Sequence, residues 1–165
     1  KVYTMAEKKL APGKKAPLFT LLDKDENSVS LKDLSGTWVV LYFYPKDNTP
    51  GCTIEAHDFT KLLSDFKALG AEVFGVSPDS SESHCSFTEK EDLSVSLLSD
   101  PEKKIMKKYG AWGTKNVYGK KKEGVIRSTV IIDPKGNIAH HWKKVKANGH
   151  AEKVLKKLSE LASGY

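Results

Sequence analysis

Residues 38–52 read WVVLYFYPKDNTPGC, and they set the core of the fold. Residues 38–43 are all apolar, β-branched or aromatic, which is typical of a central strand covered on both faces. Thr49 is a favoured helix N-cap, and Pro50 suits the first helical position because its φ is pre-set and it lacks an N–H. The stretch therefore predicts a buried strand, a turn and the start of a helix.

A cysteine lies at the beginning of that helix. The apolar residues that follow recur on one helical face before Gly70, namely Phe59, Leu62, Leu63, Phe66 and Leu69. Cys52 falls about three residues into the helix, where unpaired N–H groups and the helix dipole favour an anion. Because such sites lower the pKa of thiols from ~8.5 to roughly 3.5–7.5, a reactive thiolate is predicted. The alternative is a small buried apolar residue.

The second chemical signal is an arginine that has no counterpart in the chain. Lysine and arginine total 27, yet the only arginine is Arg127, in the strand-like run GVIRSTVIID of residues 124–133. Arginine differs from lysine where a planar, permanently charged fork must hold an anion or a pair of oxygens. Arg127 is therefore a candidate site residue, and a structural ion pair is the alternative.

The remaining chain alternates strands and helices, which predicts an α/β fold with a central mixed sheet and helices on both faces. The predicted strands are 19–21 and 29–31, which form an N-terminal β-hairpin, and 38–44, 72–77, 95–98, 127–132 and 138–142. Helices are predicted around Cys52, around Cys85, from Pro101 with Asp100 as its cap, and near the C-terminus. Residues 10–165 are expected to form one domain, after a polar extension over residues 1–9 that could be disordered.

Taken together, the motifs resemble the peroxiredoxins, whose pattern Pro-x-x-x-Thr-x-x-Cys is met by Pro45, Thr49 and Cys52. The likeness is greatest to the bacterioferritin comigratory protein and peroxiredoxin Q branch and covers nearly the whole chain. It includes APLFTL at 16–21, YFYP at 42–45, TPGCT at 49–53, GVSPDS at 75–80, LSD at 98–100, YG and WG at 109–113, and IRST at 126–129. The resemblance implies a thioredoxin-like fold and a thiol peroxidase for hydrogen peroxide and organic hydroperoxides.

Peroxide reduction requires each of these residue types. Cys52 is the expected nucleophile that becomes a sulfenic acid, and Arg127 can stabilise its thiolate and bind peroxide oxygen. Thr49 can offer its hydroxyl, and the N–H groups of Gly51 and Cys52 can line the substrate pocket. Pro45 is expected to shield the thiol from bulk water. No cofactor is expected.

The sequence leaves the fate of the sulfenic acid open. Many members of the branch have a second cysteine five residues after the first, but here that residue is His57. The resemblance permits Cys85, on the next helix, to act as the resolving cysteine in a Cys52–Cys85 disulfide that thioredoxin would reduce. Because a disulfide needs Cα atoms within about 7 Å, the helix ends must unwind first if the two lie further apart. The alternative is a one-cysteine enzyme that an external thiol reduces.

The composition of the chain indicates which classes of binding partner to expect. The net charge of +6 and the lysines at 120–122 and 143–146 are read as a solvated face that favours acidic partners. Nucleic-acid binding is not expected, because a chain with a single arginine has few side chains suited to contacts with phosphates or bases. The five histidines lack the spacing of a metal site. With two cysteines, no membrane span and no apolar leader, a cytoplasmic monomer is expected.

Two other functional classes compete with a peroxidase. A thioredoxin-like disulfide oxidoreductase is disfavoured, because Thr49 stands where a Cys-x-x-Cys motif would have its first cysteine. A non-enzymatic binding or chaperone module remains open, because a fold does not by itself specify a function.

Overall fold

The structure is a computed structural model that describes residues 10–165. Its strands are β1 (Thr20–Asp23), β2 (Ser28–Ser30), β3 (Trp38–Phe43), β4 (Ala71–Ser77), β5 (Ser96–Ser99), β6 (Trp112–Val117), β7 (Lys120–Val125), β8 (Ser128–Ile132) and β9 (Ile138–Trp142). Its α-helices are α1 (Pro50–Ala68), α2 (Ser81–Glu91), α3 (Lys104–Lys108) and α4 (His150–Ser163). The predicted extension, residues 1–9, lies outside the described residues, and the single domain over residues 10–165 stays a prediction.

A seven-stranded mixed sheet in the order β2-β1-β5-β4-β3-β8-β9 forms the centre of the molecule. Strands β3, β4 and β5 are parallel, and α1 and α2 provide the two crossovers between them. Both crossovers step across the sheet in the same direction, so the right-handed rule puts both helices on one face. Helix α4 packs on that face as well, and α3 packs on the other. The predicted α/β architecture is confirmed.

Strand β3 joins the two halves of the core. Val40 and Tyr42 pack with α1 and α4 on one face, whereas Val39, Leu41 and Phe43 pack on the other. Successive side chains of a strand point to opposite faces, so a strand covered on both sides must be apolar at every position. This is why all six residues of β3 are buried, and why the chain leaves β3 at a rigid, central position.

Several predicted boundaries differ from the observed ones by one to three residues, including those at Pro101 and Arg127. The helix expected from Pro101 begins at Lys104, because Lys103 adopts a left-handed conformation with φ 62°. Asp100 still caps this helix from outside, since its carboxylate accepts hydrogen bonds from the N–H groups of Ile105 and Met106 at 3.1 and 2.9 Å. Arg127 does not lie in a strand but in the two-residue link between β7 and β8.

A second sheet was not predicted. Strands β6 and β7 pair only with each other among the described residues, in an antiparallel hairpin that links Trp112 to Val125. Its sequence gives no alternation of apolar and polar residues, because β7 begins with three exposed lysines and an exposed glutamate. The hairpin leads directly into Arg127. None of the helices in residues 10–165 is long and apolar enough to cross a membrane.

Candidate active site

The candidate site lies at the turn between β3 and α1. Thr49 is the N-cap of α1, with extended φ and ψ of −91° and 154°, and Pro50 is the first helical residue, as predicted. The Thr49 side chain does not cap the helix, however. Its Oγ1 instead donates a hydrogen bond to the carbonyl of Lys46 at 2.7 Å. The hydroxyl proton of Thr49 is therefore engaged within the turn, and its oxygen remains an acceptor.

Cys52 is the third residue of α1, and its side chain is buried, with 1% exposure. Its Sγ accepts a hydrogen bond from Nη2 of Arg127 at 3.3 Å. A thiol that served only as a small apolar residue would not be placed against a guanidinium. The structure thus brings together the two residues that the sequence singled out from different parts of the chain.

Arg127 spans two partners with the two arms of its guanidinium. Nη1 donates to Oε1 of Glu55, while Nη2 faces Cys52. Burial opposes the charge of Arg127, but the charges of Glu55 and Cys52 outweigh it and raise the pKa of the guanidinium. The two interpretations left open by the sequence are therefore both met, because the same side chain makes an ion pair and contacts the thiol.

Glu55 is a site residue that the sequence analysis missed. It lies three residues after Cys52, about one helical turn, so both side chains emerge on the same face of α1. Glu55 is fully buried, and its second oxygen, Oε2, has no hydrogen-bond partner among the described residues. Burial raises the pKa of Glu55 to about 7, although Arg127 pulls it down. The sequence signal that could have identified Glu55 is an acidic residue one helical turn after the cysteine.

Gly51 lets the arginine approach the start of the helix. A Cβ on Gly51 would lie 3.1 Å from Nη2 of Arg127 and 3.9 Å from Cβ of Ala147. The first N–H groups of a helix have no partner within the helix, so those of Gly51 and Cys52 are available beside the thiol. Pro45, the last of the predicted residues, is half-buried two positions after β3.

A second buried cluster ties the same turn to α2. Asp47 is buried, and its carboxylate accepts hydrogen bonds from the hydroxyl of Tyr44 at 2.6 Å and of Ser83 at 2.8 Å. It also bonds Nδ1 of His84 at 2.8 Å. Burial disfavours the Asp47 charge, but these partners, His84 first, lower its pKa below the ordinary value. The active-site turn and the N-terminus of α2 are thus held together.

Both ring nitrogens of His84 face hydrogen-bond acceptors. Its Nε2 faces the carbonyl of Leu98 at 2.9 Å, and a carbonyl can only accept. Its Nδ1 faces the ionised Asp47, which also accepts. The atoms of Asp47, Asp79 and His84 lie within 4.8 Å of one another, the spacing of a metal site. Hydrogen bonds account for this spacing, since Asp79 itself accepts from the N–H of Asp47 and from Ser77.

Cys85 is not beside Cys52, and neither thiol is in a disulfide. Cys85 is half-buried on α2, on the side of the β1–β2 turn. The hydrogen bond from Lys24 to Asp25 is the main cause of the raised pKa of Lys24 in this turn. The charge of Cys85 raises it further, which shows that Cys85 lies near Lys24. Strand β1 lies three strand positions from β3 in the sheet. Because neighbouring strands are about 4.8 Å apart, the distance between β1 and β3 is about 14 Å. Cys52 and Cys85, the predicted disulfide pair, can therefore meet only if α2 moves.

His57, at the position where relatives of this branch carry a cysteine, bonds to α2 as well. Its Nε2 lies 2.8 Å from Oε1 of Glu91 at the C-terminal end of α2. His57 is about half exposed and faces away from the buried thiol. It therefore links α1 to α2.

Comparison with known proteins gives consistent matches over most of the chain. The model of the AhpC/TSA family matches residues 12–141. Protein bcp of Helicobacter pylori (strain J99) is 51% identical over 150 residues, which are 91% of this chain and 99% of that protein. Peroxiredoxin Bcp of Bacillus subtilis (strain 168) is 43% identical over 150 residues, covering 91% and 96%.

Solved structures match to the same extent. The bacterioferritin comigratory protein of Xanthomonas campestris, described in trapped intermediate and ligand complexes that concern its alkyl peroxide reduction activity, has a TM-score of 0.85 to this chain. It is 37% identical, and the match covers 92% of this chain and 99% of that one.

Proposed function

This chain belongs to the AhpC/TSA family, and we propose that Cys52 is the thiol through which it reduces peroxides. The predicted membership of the bacterioferritin comigratory protein and peroxiredoxin Q group is confirmed, and with it a thioredoxin-like fold and a thiol-dependent peroxidase. The observation that carries the role of Cys52 is the 3.3 Å contact between its sulfur and Arg127 at the start of α1.

In the first step the Cys52 thiolate attacks the terminal oxygen of the hydroperoxide. A sulfur–oxygen bond forms, the oxygen–oxygen bond breaks, and the departing alkoxide or hydroxide takes a proton to leave as alcohol or water. Nη2 of Arg127 and the N–H groups of Gly51 and Cys52 surround the sulfur, so they can hold the peroxide and stabilise the departing charge. Glu55 holds the guanidinium in place through Nη1.

Two of the predicted residues act at the edge of this arrangement. Thr49 donates its proton to Lys46, so its oxygen can accept a hydrogen bond from the peroxide hydrogen and orient the substrate. Pro45 follows the buried strand β3 and carries no N–H, so it covers the site without offering a competing donor. These roles rest on position in the turn, and the pocket they form takes hydrogen peroxide or an organic hydroperoxide.

In the second step Cys85 attacks the sulfenic sulfur of Cys52, and a disulfide and one water are formed. An external dithiol such as thioredoxin then reduces this disulfide and is itself oxidised to a disulfide. This step needs α2 to leave Asp47 and His57, because Cys85 lies on the side of that helix next to the β1–β2 turn. A monomer and a cytoplasmic location remain predictions from the sequence.

Peroxide consumption with thioredoxin and its reductase tests this assignment. Cys52→Ser is expected to lose peroxide consumption entirely, because oxygen at this position is not an effective nucleophile. The matched variant Cys85→Ser is expected to react once with peroxide, to give no internal disulfide in its intact mass, and to turn over slowly with thioredoxin. Activity in Cys52→Ser would refute the role of Cys52, and full turnover in Cys85→Ser would establish a one-cysteine enzyme.

A further inference from the structure

The net positive charge of the chain is confined to two segments, residues 112–127 and 143–149. Of the 27 basic and 21 acidic residues, these segments hold eight and one. The rest of the chain holds 19 and 20, which is close to neutral. The first segment is the β6–β7 hairpin with the link to β8, and the second is the loop between β9 and α4. A uniformly solvated basic surface would not show this division.

Both segments meet at Cys52. The first ends in Arg127, whose Nη2 lies 3.3 Å from the Cys52 sulfur. The second is fixed to that arginine, because the N–H of Val145 donates to the Arg127 carbonyl at 2.9 Å. It also lies over the helix start, since Cβ of Ala147 would be 3.9 Å from a Cβ on Gly51. Both basic segments therefore have residues beside the thiol.

The lysines of these segments lie close enough to repel one another. In the β6–β7 hairpin, Lys115 is directly opposite Lys122, a like-charge pair that destabilises a strand pairing. The pKa of Lys115 is lowered, first by burial and then by the charges of Arg127 and Lys144. An anionic partner would relieve this repulsion, whereas the folded chain by itself gains nothing from it.

We propose that this basic surface docks the acidic face of the protein dithiol that reduces oxidised Cys52, a proposal that rests on the peroxidase function above. The basic surface is defined by six exposed lysines: Lys120, Lys121, Lys122, Lys143, Lys144 and Lys146. Hydrogen peroxide and simple alkyl hydroperoxides are small and uncharged, so a positive field does not attract them. The reductant is the one macromolecule that must reach this thiol in every cycle, and complementary charge raises the association rate of such partners.

The reaction at the docked face balances without a further reagent. A partner thiolate attacks the Cys52–Cys85 disulfide, forms a mixed disulfide and releases one cysteine thiolate. The second partner thiol then breaks the mixed disulfide, so the partner leaves oxidised by two electrons and both cysteines are again thiols. Nucleic acid is the less favoured occupant of this surface, because the lone arginine is turned inward to Cys52 and Glu55.

The test compares two reductants in charge-neutralised variants. Lys120, Lys121 and Lys122 are changed to glutamine in one variant, and Lys143, Lys144 and Lys146 in another. The matched control changes three exposed lysines, Lys15, Lys32 and Lys135, which border a cleft at the opposite end of the sheet. Peroxide turnover is measured with an acidic thioredoxin and its reductase, and separately with uncharged dithiothreitol.

In both test variants, kcat/KM for thioredoxin relative to the dithiothreitol rate is expected to fall about tenfold, within the range of charge-steered association. The control ratio is expected to stay near that of the wild type. Salt at ~0.5 M is expected to remove the difference, because it shortens the screening length to a few ångströms.

Three outcomes would overturn the docking proposal. These are an unchanged ratio in the test variants, an equal loss in the control, and a stronger association of the wild type with DNA or with anionic phospholipid vesicles than with thioredoxin at the same salt. Failure of the peroxidase function is distinguished separately, because Cys52 would then not be oxidised by peroxide in any variant.

Discussion

At the scale of single residues, the site depends on one guanidinium that reaches two groups at once. Arg127 contacts Glu55 with Nη1 and Cys52 with Nη2, and the absence of a Cβ on Gly51 leaves space for the second arm. A planar fork can hold both contacts in one plane, whereas an ammonium is a single point of charge. This explains why a chain that otherwise uses lysine for every positive charge has arginine here.

Arg127→Lys tests this geometry. The variant keeps the charge but cannot reach Glu55 and Cys52 together, so it loses at least one charge-assisted hydrogen bond of about 1.5–3 kcal/mol. The rate constant of Cys52 with peroxide is expected to fall about tenfold to a hundredfold. Stopped-flow oxidation at pH 7 measures it, with the unfolding transition as the control for folding. An unchanged rate constant would mean that charge alone is sufficient at this position.

Glu55 contributes a pH dependence to the free energy of unfolding that can be distinguished from the contributions of other residues. Burial raises its pKa from 4.5 to about 7, so between these pH values the folded protein binds more protons than the unfolded chain. The stability contributed by this residue therefore falls as pH rises from about 4.5 to 7. Glu55→Gln cannot titrate and removes this dependence.

The difference in free energy of unfolding, variant minus wild type, is expected to rise by up to about 3 kcal/mol from pH 4.5 to 8. Urea unfolding of both proteins across this range measures it. Exposed Glu152→Gln is a suitable control, and its difference is expected to stay flat. A flat difference for Glu55→Gln as well would show that Glu55 titrates at its ordinary pKa in the folded state.

At the scale of elements, the helix that carries Cys85 is fastened at both ends. Asp47 holds the N-terminus of α2 through Ser83 and His84, and His57 of α1 holds its C-terminal end through Glu91. The Asp47–His84 pair is buried, so it is shielded from salt and costly to break. If Cys85, the residue after His84, is the resolving cysteine as proposed, we expect this pair to open before the two cysteines meet.

Asp47→Asn is expected to loosen α2. Loss of the carboxylate charge breaks the buried Asp47–His84 pair, which lowers the free energy of unfolding of the reduced protein by about 3 kcal/mol. Disulfide formation after one equivalent of peroxide is expected to speed up, because α2 is released more easily. Urea unfolding and intact mass after acid quench measure the two effects.

Exposed Asp65 on α1 provides the matched control, and Asp65→Asn is expected to change stability by less than about 0.5 kcal/mol. A destabilised Asp47→Asn variant that forms the disulfide at the wild-type rate would show that the opening of this pair does not limit resolution.

At the scale of the whole molecule, the sheet order brings distant segments to one end. Strand β3 lies between β4 and β8, so the turn after β3 and the link before β8 meet at the same edge of the sheet. The loop after β9 joins them because β9 is the next strand. Thiol, arginine and basic surface therefore lie together, although the arginine and the basic lysines are 68–94 residues from the thiol along the chain.

The sequence specified the central strand, the turn and the helix that carry Cys52, because strand burial and helix capping depend on residues close together in the chain. A second signal of the same kind came from the single arginine, whose chemistry differs from that of lysine in any context. Resemblance to the peroxiredoxins then supplied the order of the motifs. The lysine hairpin was missed because its strands pair with each other rather than with a patterned apolar core.

Contacts across the fold were decided only by the tertiary structure. That Arg127 faces Cys52, that Glu55 is buried behind it, and that Asp47 holds His84 all depend on which strands are neighbours and on which face each helix packs. Burial also raised the pKa of Glu55, because a desolvated carboxyl holds its proton more tightly than an exposed one. Local sequence determines which residues are reactive, whereas the packing of the sheet determines which of them meet.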